Sequence, residues 1–285
     1  MSAGRRRRRV VNSTRVIAFS FAGVILMGAL LLMLPISSVS GESCGWMTAL
    51  FTATSSTCVT GLILVDTLTQ FTVFGQVVVL VLIQLGGLGF MSVLFLLASL
   101  VRKRMSLSQR LMMVSAFNLN DMHDVARLVG NAFRFTFAVE GVGAVILTAC
   151  FFPRYGLGAI WKGVFTAVSA FCNAGFDLLG PDGGGSLSTY SNHPVVLLTV
   201  ATLIVCGGLG FFVWGEIVHR KSFRRLSLYS KMVLVITGIL IVGGTLFFLA
   251  VECENPATLG NMPWWQKGVN ALFQSVTLRT AGFLS

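Results

Sequence analysis

The sequence predicts an all-α integral membrane protein built from repeated units, and three observations lead to this fold class. Hydrophobic residues make up 55% of the 285 residues and charged residues only 11%, whereas about 25% of the residues in a soluble protein are charged. Apolar stretches long enough to cross a bilayer recur along the chain. Short motifs recur between them in the same order. Because so little charge cannot cover a water-facing surface, soluble enzymes and disordered proteins are excluded.

The chain begins with a basic segment, and the run Arg5–Arg9 has three readings. It could be an arm that binds nucleic acid, the charged region of a cleaved signal peptide, or the cytoplasmic flank of a membrane span. The apolar stretch Val16–Leu34 follows it, is longer than the apolar region of a usual signal peptide and is not followed by a small-x-small cleavage motif. We therefore predict a retained span with a cytoplasmic N-terminus and no nucleic-acid partner.

Apolar length divides the rest of the chain into spans and shorter helices. Five segments have about the 20 residues that a span needs: 16–35, 73–100, 132–152, 195–218 and 232–251. Three shorter segments have the length of re-entrant or interfacial helices: 46–57, 159–171 and 264–277. With these spans, all but four of the 21 Lys and Arg residues fall on the cytoplasmic side, as the positive-inside rule requires.

Two motifs repeat in register. The motif LFTATSS at 50–56 recurs as VFTAVSA at 164–170 and, more weakly, as LFQSVT at 272–277, and a glycine follows each copy. The motif GGLGF at 86–90 recurs at 207–211, which is 121 residues later. We interpret GGLGF as a close-packing helix surface, where small residues let backbones approach.

A short helix that ends in the membrane at a glycine-containing segment leaves backbone carbonyl groups without helical partners. Such groups are tolerated where they are buried in protein or line a polar cavity. Carbonyl oxygens can replace the water around a cation, and the C-terminal end of a helix dipole favours positive charge. The repeated unit therefore predicts a carbonyl-lined path for cations.

Several segments resemble the bacterial Ktr/Trk potassium transporters, which are related to plant HKT proteins, and they are most similar to the KtrB-type membrane subunits of this superfamily. They are LFTATSSTCVTGLILVDT at 50–67, IQLGGLGF at 83–90, VSAFCNAGFDLL at 168–179, CGGLGFFVWGE at 206–216, NPATLG at 255–260 and QSVTLRTAGF at 274–283. The resemblance implies helix, pore helix, filter loop and helix in each unit. It also implies four units around a pseudo-fourfold pore, of which this chain holds about 2.6.

The resemblance also implies the residues that bind the ion in the filter. By position these are Val59, Thr60, Gly61, Asn173, Ala174, Gly175, Thr280, Ala281 and Gly282. Relatives with serine at the first filter glycine tend to admit sodium, so Gly61 implies a preference for potassium. The expected function is potassium uptake by a pore-forming subunit. Sodium as an activator stays open, and no organic cofactor is expected.

The resemblance further implies partners and a location. The expected partners are a second copy of the chain in a homodimer, a cytoplasmic nucleotide-binding regulatory subunit of the KtrA/TrkA type, and membrane lipid. The expected location is the bacterial plasma (inner) membrane, with multiple spans. Basic loops at 102–110 and 220–231 could dock the regulatory subunit, and they equally serve topology.

These inferences divide the chain into six parts. They are a basic cytoplasmic N-terminus (1–15), a first repeat (16–104), a cytoplasmic linker (105–131), a second repeat (132–220), a cytoplasmic loop (221–231) and an incomplete third repeat (232–285). Relatives continue with the rest of the third repeat and a fourth, so we expect the chain to be incomplete at its C-terminal end. The alternative function is a non-conducting fragment or an assembly subunit. An intramembrane enzyme would need a convergent catalytic set, which the sequence does not show, so we predict that the chain is not an enzyme.

Four acidic residues have two readings each. Glu140 and Glu216 lie within or at the end of spans, where an acid is a functional candidate. We favour a structural ion pair or hydrogen bond for both over an ion or proton relay. Asp66 and Asp177 follow filter segments and either attract cations to the outer mouth or are solvated loop charges.

Overall fold

The structure is a computed structural model that describes residues 13–89, 122–180, 186–220, 222–255, 258–260 and 262–284. In these ranges the regular structure is helical, apart from one isolated antiparallel bridge between Ser38 and Phe71. The predicted all-α class is therefore confirmed. The basic run near the N-terminus, the loop at 102–110 and the second half of the predicted span 73–100 lie outside the described residues.

The described residues form ten α-helices. They are α1 (Ser13–Met33), α2 (Trp46–Thr57), α3 (Thr67–Gln70), α4 (Val73–Gly87), α5 (Met122–Tyr155), α6 (Gly158–Phe171), α7 (Pro194–Gly208), α8 (Phe211–Arg220), α9 (Leu228–Glu252) and α10 (Trp264–Thr277). Short 3-10 turns lie at Pro35–Ser37, Ser188–Tyr190 and Phe223–Arg225. The helices α2, α6 and α10 match the three predicted short segments to within one residue.

Local sequence signals place the starts of three helices. The Thr72 hydroxyl accepts a hydrogen bond from the N–H of Gly75 at the start of α4, at 3.4 Å. The Ser227 hydroxyl caps α9 in the same way. Pro194 occupies the first turn of α7, where its missing N–H costs nothing. These residues begin helices directly after turns, which fixes where the chain changes direction.

Two of the described helices are long and apolar enough to cross a membrane, Gly130–Tyr155 within α5 and Leu228–Glu252. The pair α7 and α8 would make a third if it counted as one span. Two more apolar helices, Ala18–Met33 and Val73–Gly87, are shorter than a span within the described residues. The apolar helices are those of a membrane protein.

The predicted span 195–218 is not one straight helix, because α7 and α8 are bent by 94° relative to each other. Gly210 lies at the break with a φ of +81°, a left-handed conformation that costs an L-residue about 1–2 kcal/mol. Across the bend, the indole N–H of Trp214 donates to the carbonyl of Cys206 at 2.8 Å. Hydropathy measures apolar length and contains no information about direction, so it could not predict this bend.

Two groups of helices share one order of packing. In the first, α1 packs on α2 and α4 packs on both; in the second, α5 packs on α6 and α7 packs on both. The helix α9 packs on α10. Between groups, α4 also packs on α6, and α7 also packs on α10. Each helix that follows a short helix therefore also touches the next short helix along the chain.

Candidate functional site

Each short helix is followed by a segment that holds three of the nine predicted ion-binding residues. We call residues 59–61, 173–175 and 280–282 the first, second and third glycine segments. They follow α2, α6 and α10 respectively. All nine residues lie within the described part of the chain.

The first two glycine segments have the same backbone conformation. Val59 and Asn173 have φ values of +56° and +59°, and Gly61 and Gly175 have φ values of +74° and +71°. Positive φ is unusual for residues other than glycine, and asparagine tolerates it better than valine does. The left-handed residues thus alternate with a residue of ordinary φ in both segments.

Seven of the nine N–H groups in the segments donate to backbone carbonyls of the preceding short helix, and those of Gly61 and Gly175 have no acceptor among the described residues. The middle residue of each segment donates its N–H to the last turns of its own helix. These bonds join Thr60 to the Ser55 carbonyl at 2.9 Å, Ala174 to the Ser169 carbonyl at 2.8 Å and Ala281 to the Thr277 carbonyl at 2.9 Å. Within the described residues, none of the nine carbonyl oxygens of the segments accepts a hydrogen bond. They are therefore available to water or to a cation.

The third glycine segment turns differently from the first two. Gly282 has a φ of +72°, and its N–H donates to the same Thr277 carbonyl that accepts from Ala281. The Thr277 hydroxyl donates to the Phe283 carbonyl at 2.8 Å. In the sequence, Gly282 lies nine residues after the motif phenylalanine, whereas Gly61 and Gly175 lie ten after theirs. Because the third segment has one residue fewer between the phenylalanine and the glycine, its backbone turns differently from that of the other two.

Consecutive glycine segments touch each other. A methyl group placed on Gly61 would lie 2.7 Å from the carbonyl oxygen of Ala174. A methyl group on Gly175 would lie 2.2 Å from the carbonyl oxygen of Ala281. On Gly282 a methyl group would have no neighbour within 4 Å among the described residues. The structure thus brings the first segment against the second and the second against the third.

The GGLGF motifs pack against the ends of the short helices. A methyl group on Gly86 would lie 2.1 Å from the Thr57 carbonyl oxygen, and one on Gly207 would lie 1.7 Å from the Phe171 carbonyl oxygen. Thr57 and Phe171 are the last residues of α2 and α6. The close-packing interpretation of these motifs is confirmed, since only glycine allows this approach at either site.

A buried polar cluster lies between α4, α5 and the end of α6. Glu140 is 4% exposed, and its two carboxylate oxygens accept hydrogen bonds from the Gln84 amide at 3.1 and 3.2 Å. The thiol of Cys172, which directly precedes the second glycine segment, donates to the Gln84 carbonyl oxygen at 3.7 Å. Glu140 thus forms a structural hydrogen bond, which is one of the two structural roles that the sequence analysis favours for it.

Replacing Glu140 with leucine is expected to destabilise the protein by about 1–3 kcal/mol, because the partly buried Gln84 amide loses its acceptor. Glu140→Gln should cost less, because the glutamine side chain keeps an acceptor oxygen in the same place. The thermal unfolding of both variants in detergent measures the difference. Equal losses for leucine and glutamine would show that the hydrogen bond does not stabilise the fold.

The other acids also have protein partners. Glu216 accepts from the Ser227 N–H at 2.9 Å and lies 3.9 Å from the Arg220 guanidinium, so it joins the end of α8 to the start of α9. Asp66 accepts from the Thr69 N–H at 2.8 Å and caps α3.

Asp177 lies in the loop after the second glycine segment. Burial raises the pKa of its carboxyl group, and the nearby Asp66 carboxylate acts in the same direction. The N–H of Leu179 donates to Asp177 at 2.9 Å. Asp66 and Asp177 therefore each accept a hydrogen bond from the backbone.

Sequence reasoning missed the side chains that support the glycine segments. Gln84 lies in the IQLGGLGF motif but was assigned no role, although a polar residue in an apolar helix is a signal of function or structure. The hydroxyl of Thr280 donates to the side-chain amide oxygen of Asn173 at 3.0 Å, and no pattern in the sequence indicates this contact.

A family model and several known proteins are similar to this chain over nearly its whole length. The family model TrkH, described as "Cation transport protein", matches residues 3–285. The chain is 40% identical to the potassium/sodium uptake protein NtpJ of Enterococcus hirae over 99% of its length. It is 42% identical to the Ktr system potassium uptake protein B of Bacillus subtilis over 95% of its length, and 38% identical to the protein of that name in Vibrio alginolyticus over 99%.

The chain spans about 60% of the length of these curated relatives. The match covers nearly all of the chain and confirms the family resemblance seen in the sequence. The family consists of transport proteins and not of enzymes. The chain belongs to the TrkH family of cation transport proteins.

Proposed function

We propose that this chain takes up potassium across the bacterial plasma membrane as the pore-forming subunit of a Ktr/Trk-type system. The observation that carries this proposal is the set of nine carbonyl oxygens in the glycine segments, which have no hydrogen-bond donor among the described residues. Carbonyl oxygens arranged in this way replace the water of a potassium ion. The three short helices end at these segments, and their C-terminal dipoles favour a cation there.

In this proposal α2, α6 and α10 are pore helices, and the glycine segments form three sides of a filter in a pseudo-fourfold pore. The contacts of Gly61 with Ala174 and of Gly175 with Ala281 support the order of the segments around the pore. The shared packing order of the helices supports repeated units with the boundaries 16–104, 132–220 and 232–285.

Potassium is the proposed ion for two reasons. The three relatives compared above are named as potassium or potassium/sodium uptake proteins. Gly61 stands at the first filter position, where a glycine, by resemblance to the family, favours potassium over sodium. Whether sodium also activates transport is answered by measuring potassium uptake with and without sodium.

Replacing Gly61 with serine in the full-length protein is expected to reduce the preference for potassium over sodium by about tenfold or more. Residue 61 has a φ of +74°, and its new Cβ would press on the Ala174 carbonyl, which displaces oxygens that select the ion. Uptake of both ions by a transport-deficient bacterium measures the effect. Gly41→Ser is the matched control, because Gly41 has a φ of +73° and a Cβ there would meet no atom of the described residues within 4 Å. Unchanged selectivity in Gly61→Ser at normal protein levels would remove Gly61 from the filter.

The proposed partners are a second copy of the chain and a cytoplasmic nucleotide-binding regulatory subunit of the KtrA/TrkA type. Two relatives are named as parts of a Ktr system, a name that implies more than one component. The exposed basic turn Phe223–Arg225 is the described part of a docking surface for the regulatory subunit. Membrane lipid surrounds the apolar helices. Co-purification of tagged and untagged copies, with and without the regulatory subunit, tests both interactions.

The proposed orientation places the N-terminus and the turn Phe223–Arg225 in the cytoplasm, and residues near Glu42 outside. In a variant without native cysteines, Glu42→Cys is expected to react with an impermeant thiol reagent added to intact cells, and Arg224→Cys is not. Both positions are exposed, so access to the reagent depends on the side of the membrane. Labelling of Arg224→Cys but not of Glu42→Cys would reverse the orientation that the positive charges predict.

A further inference from the structure

We propose that the side chain of Asn173 determines ion specificity by linking the second glycine segment to the third through Thr280. The inference rests on the proposed carbonyl-lined path and adds to it a side chain that sets the spacing of the carbonyl groups. We call the hydrogen bond between Asn173 and Thr280 the segment link.

Two hydrogen bonds orient the Asn173 amide. The Thr280 hydroxyl donates to its carbonyl oxygen at 3.0 Å. Its amide nitrogen donates to the Phe171 carbonyl at 3.4 Å. Because the Phe171 carbonyl can only accept, the nitrogen must face it and the oxygen must face Thr280. The side chain therefore joins the end of α6 to the third glycine segment.

The glycine pair of α7 makes room for this amide. A methyl group on Gly207 would lie 3.2 Å from the Asn173 amide nitrogen, and one on Gly208 would lie 4.0 Å from it. The amide is thus held against the face of α7 that packs on the end of α6. Its freedom to rotate away from Thr280 is limited by this packing.

The first glycine segment shows what the same position does without an amide. Val59 corresponds to Asn173, has nearly the same φ, and lies against Gly86 of α4, where an added methyl group would be 2.9 Å from its Cγ2 atom. Valine has no polar atom, so it cannot form a hydrogen bond to the neighbouring segment. The site therefore accepts an apolar side chain, and the link is a property of asparagine at the second segment.

The segment link bears on selectivity because the second and third segments also touch through their backbones. Gly175 lies against the Ala281 carbonyl, and these residues are two positions beyond Asn173 and one position beyond Thr280. The segment link therefore limits the distance between the second and third glycine segments, which are two sides of the proposed filter. Without it, the carbonyl groups can approach closely enough to coordinate the smaller sodium ion, so the preference for potassium falls.

The test compares variants of both partners in the full-length protein by uptake of potassium and sodium. Thr280→Val keeps the shape of the side chain and removes the hydroxyl, and Asn173→Val installs the residue of the first segment. Each is expected to lower the potassium-to-sodium uptake ratio by about two- to tenfold, the range that one neutral hydrogen bond represents. Thr280→Ser keeps the hydroxyl and should retain the wild-type ratio. The double variant should lower the ratio no more than either single variant, because both remove the same bond.

Three results would overturn the segment link. They are an unchanged ratio in Thr280→Val, an equal loss in Thr280→Val and Thr280→Ser, and independent effects that multiply in the double variant. If Asn173→Val does not fold, the ratios of Thr280→Val and Thr280→Ser still test whether the segment link affects selectivity. Gly61→Ser, measured in parallel, separates this inference from the proposed function. If Gly61→Ser lowers the ratio and Thr280→Val does not, the link is wrong and the carbonyl-lined path stands; if neither lowers it, both are wrong.

Discussion

Replacing Gly207 with alanine is expected to abolish potassium uptake and to reduce the amount of folded protein sharply. The new methyl group would lie 1.7 Å from the Phe171 carbonyl oxygen, which is far inside the contact distance of carbon and oxygen. A backbone carbonyl cannot rotate away as a side chain can, so α7 must move from the end of α6. Overpacking of this kind costs about 1–3 kcal/mol or more. The movement also displaces Asn173 and the second glycine segment.

The neighbouring residue provides a matched control for this variant. Gly208 lies in the same turn of α7, but among the described residues a methyl group there would meet only the Asn173 amide nitrogen, at 4.0 Å. Gly208→Ala should therefore retain most of the transport activity and of the thermal stability in detergent. If both variants behave alike, the loss is a general effect of removing glycine from α7, and the close contact with α6 is not needed.

Replacing Gly175 with alanine is expected to lower potassium uptake more than tenfold while α6 and α7 stay folded. The residue has a φ of +71°, and the methyl group would lie 2.2 Å from the Ala281 carbonyl oxygen. The second and third glycine segments would have to separate by about 1 Å. Carbonyl oxygens that have moved apart by this amount no longer replace the water of a potassium ion. Initial rates of potassium uptake, normalised to the amount of protein in the membrane, measure the effect.

Backbone strain and contact can be separated with Gly41. This residue has a φ of +73°, but a Cβ there would meet no atom of the described residues within 4 Å, so Gly41→Ala adds the strain of a left-handed alanine, about 1–2 kcal/mol, without a clash. It should lower stability slightly and leave uptake near the wild-type rate. An equal loss of uptake in Gly41→Ala would mean that strain explains the Gly175 variant. Normal uptake in Gly175→Ala would place the ion path away from this contact.

The sequence by itself determined the class of the protein and the position of its short helices. A charged fraction of 11% is by itself too low for a soluble fold. Apolar length placed α2, α6 and α10 to within one residue, because helix length and composition are local properties. The repeated motifs located the glycine segments, and the shorter spacing before Gly282 already distinguished the third of them from the others.

The tertiary structure decided how these parts meet. Local sequence patterns do not indicate the direction of one helix relative to the next, so the apolar stretch at 195–218 did not predict the 94° bend at Gly210. Local patterns also do not indicate which side chains form hydrogen bonds with each other: the Thr280 hydroxyl donates to the Asn173 side chain, 107 positions away in the chain. Gln84 and Glu140 are joined across 56 positions in the same way. Such contacts depend on which helix faces pack together, and packing is a property of the whole chain that no window of sequence contains.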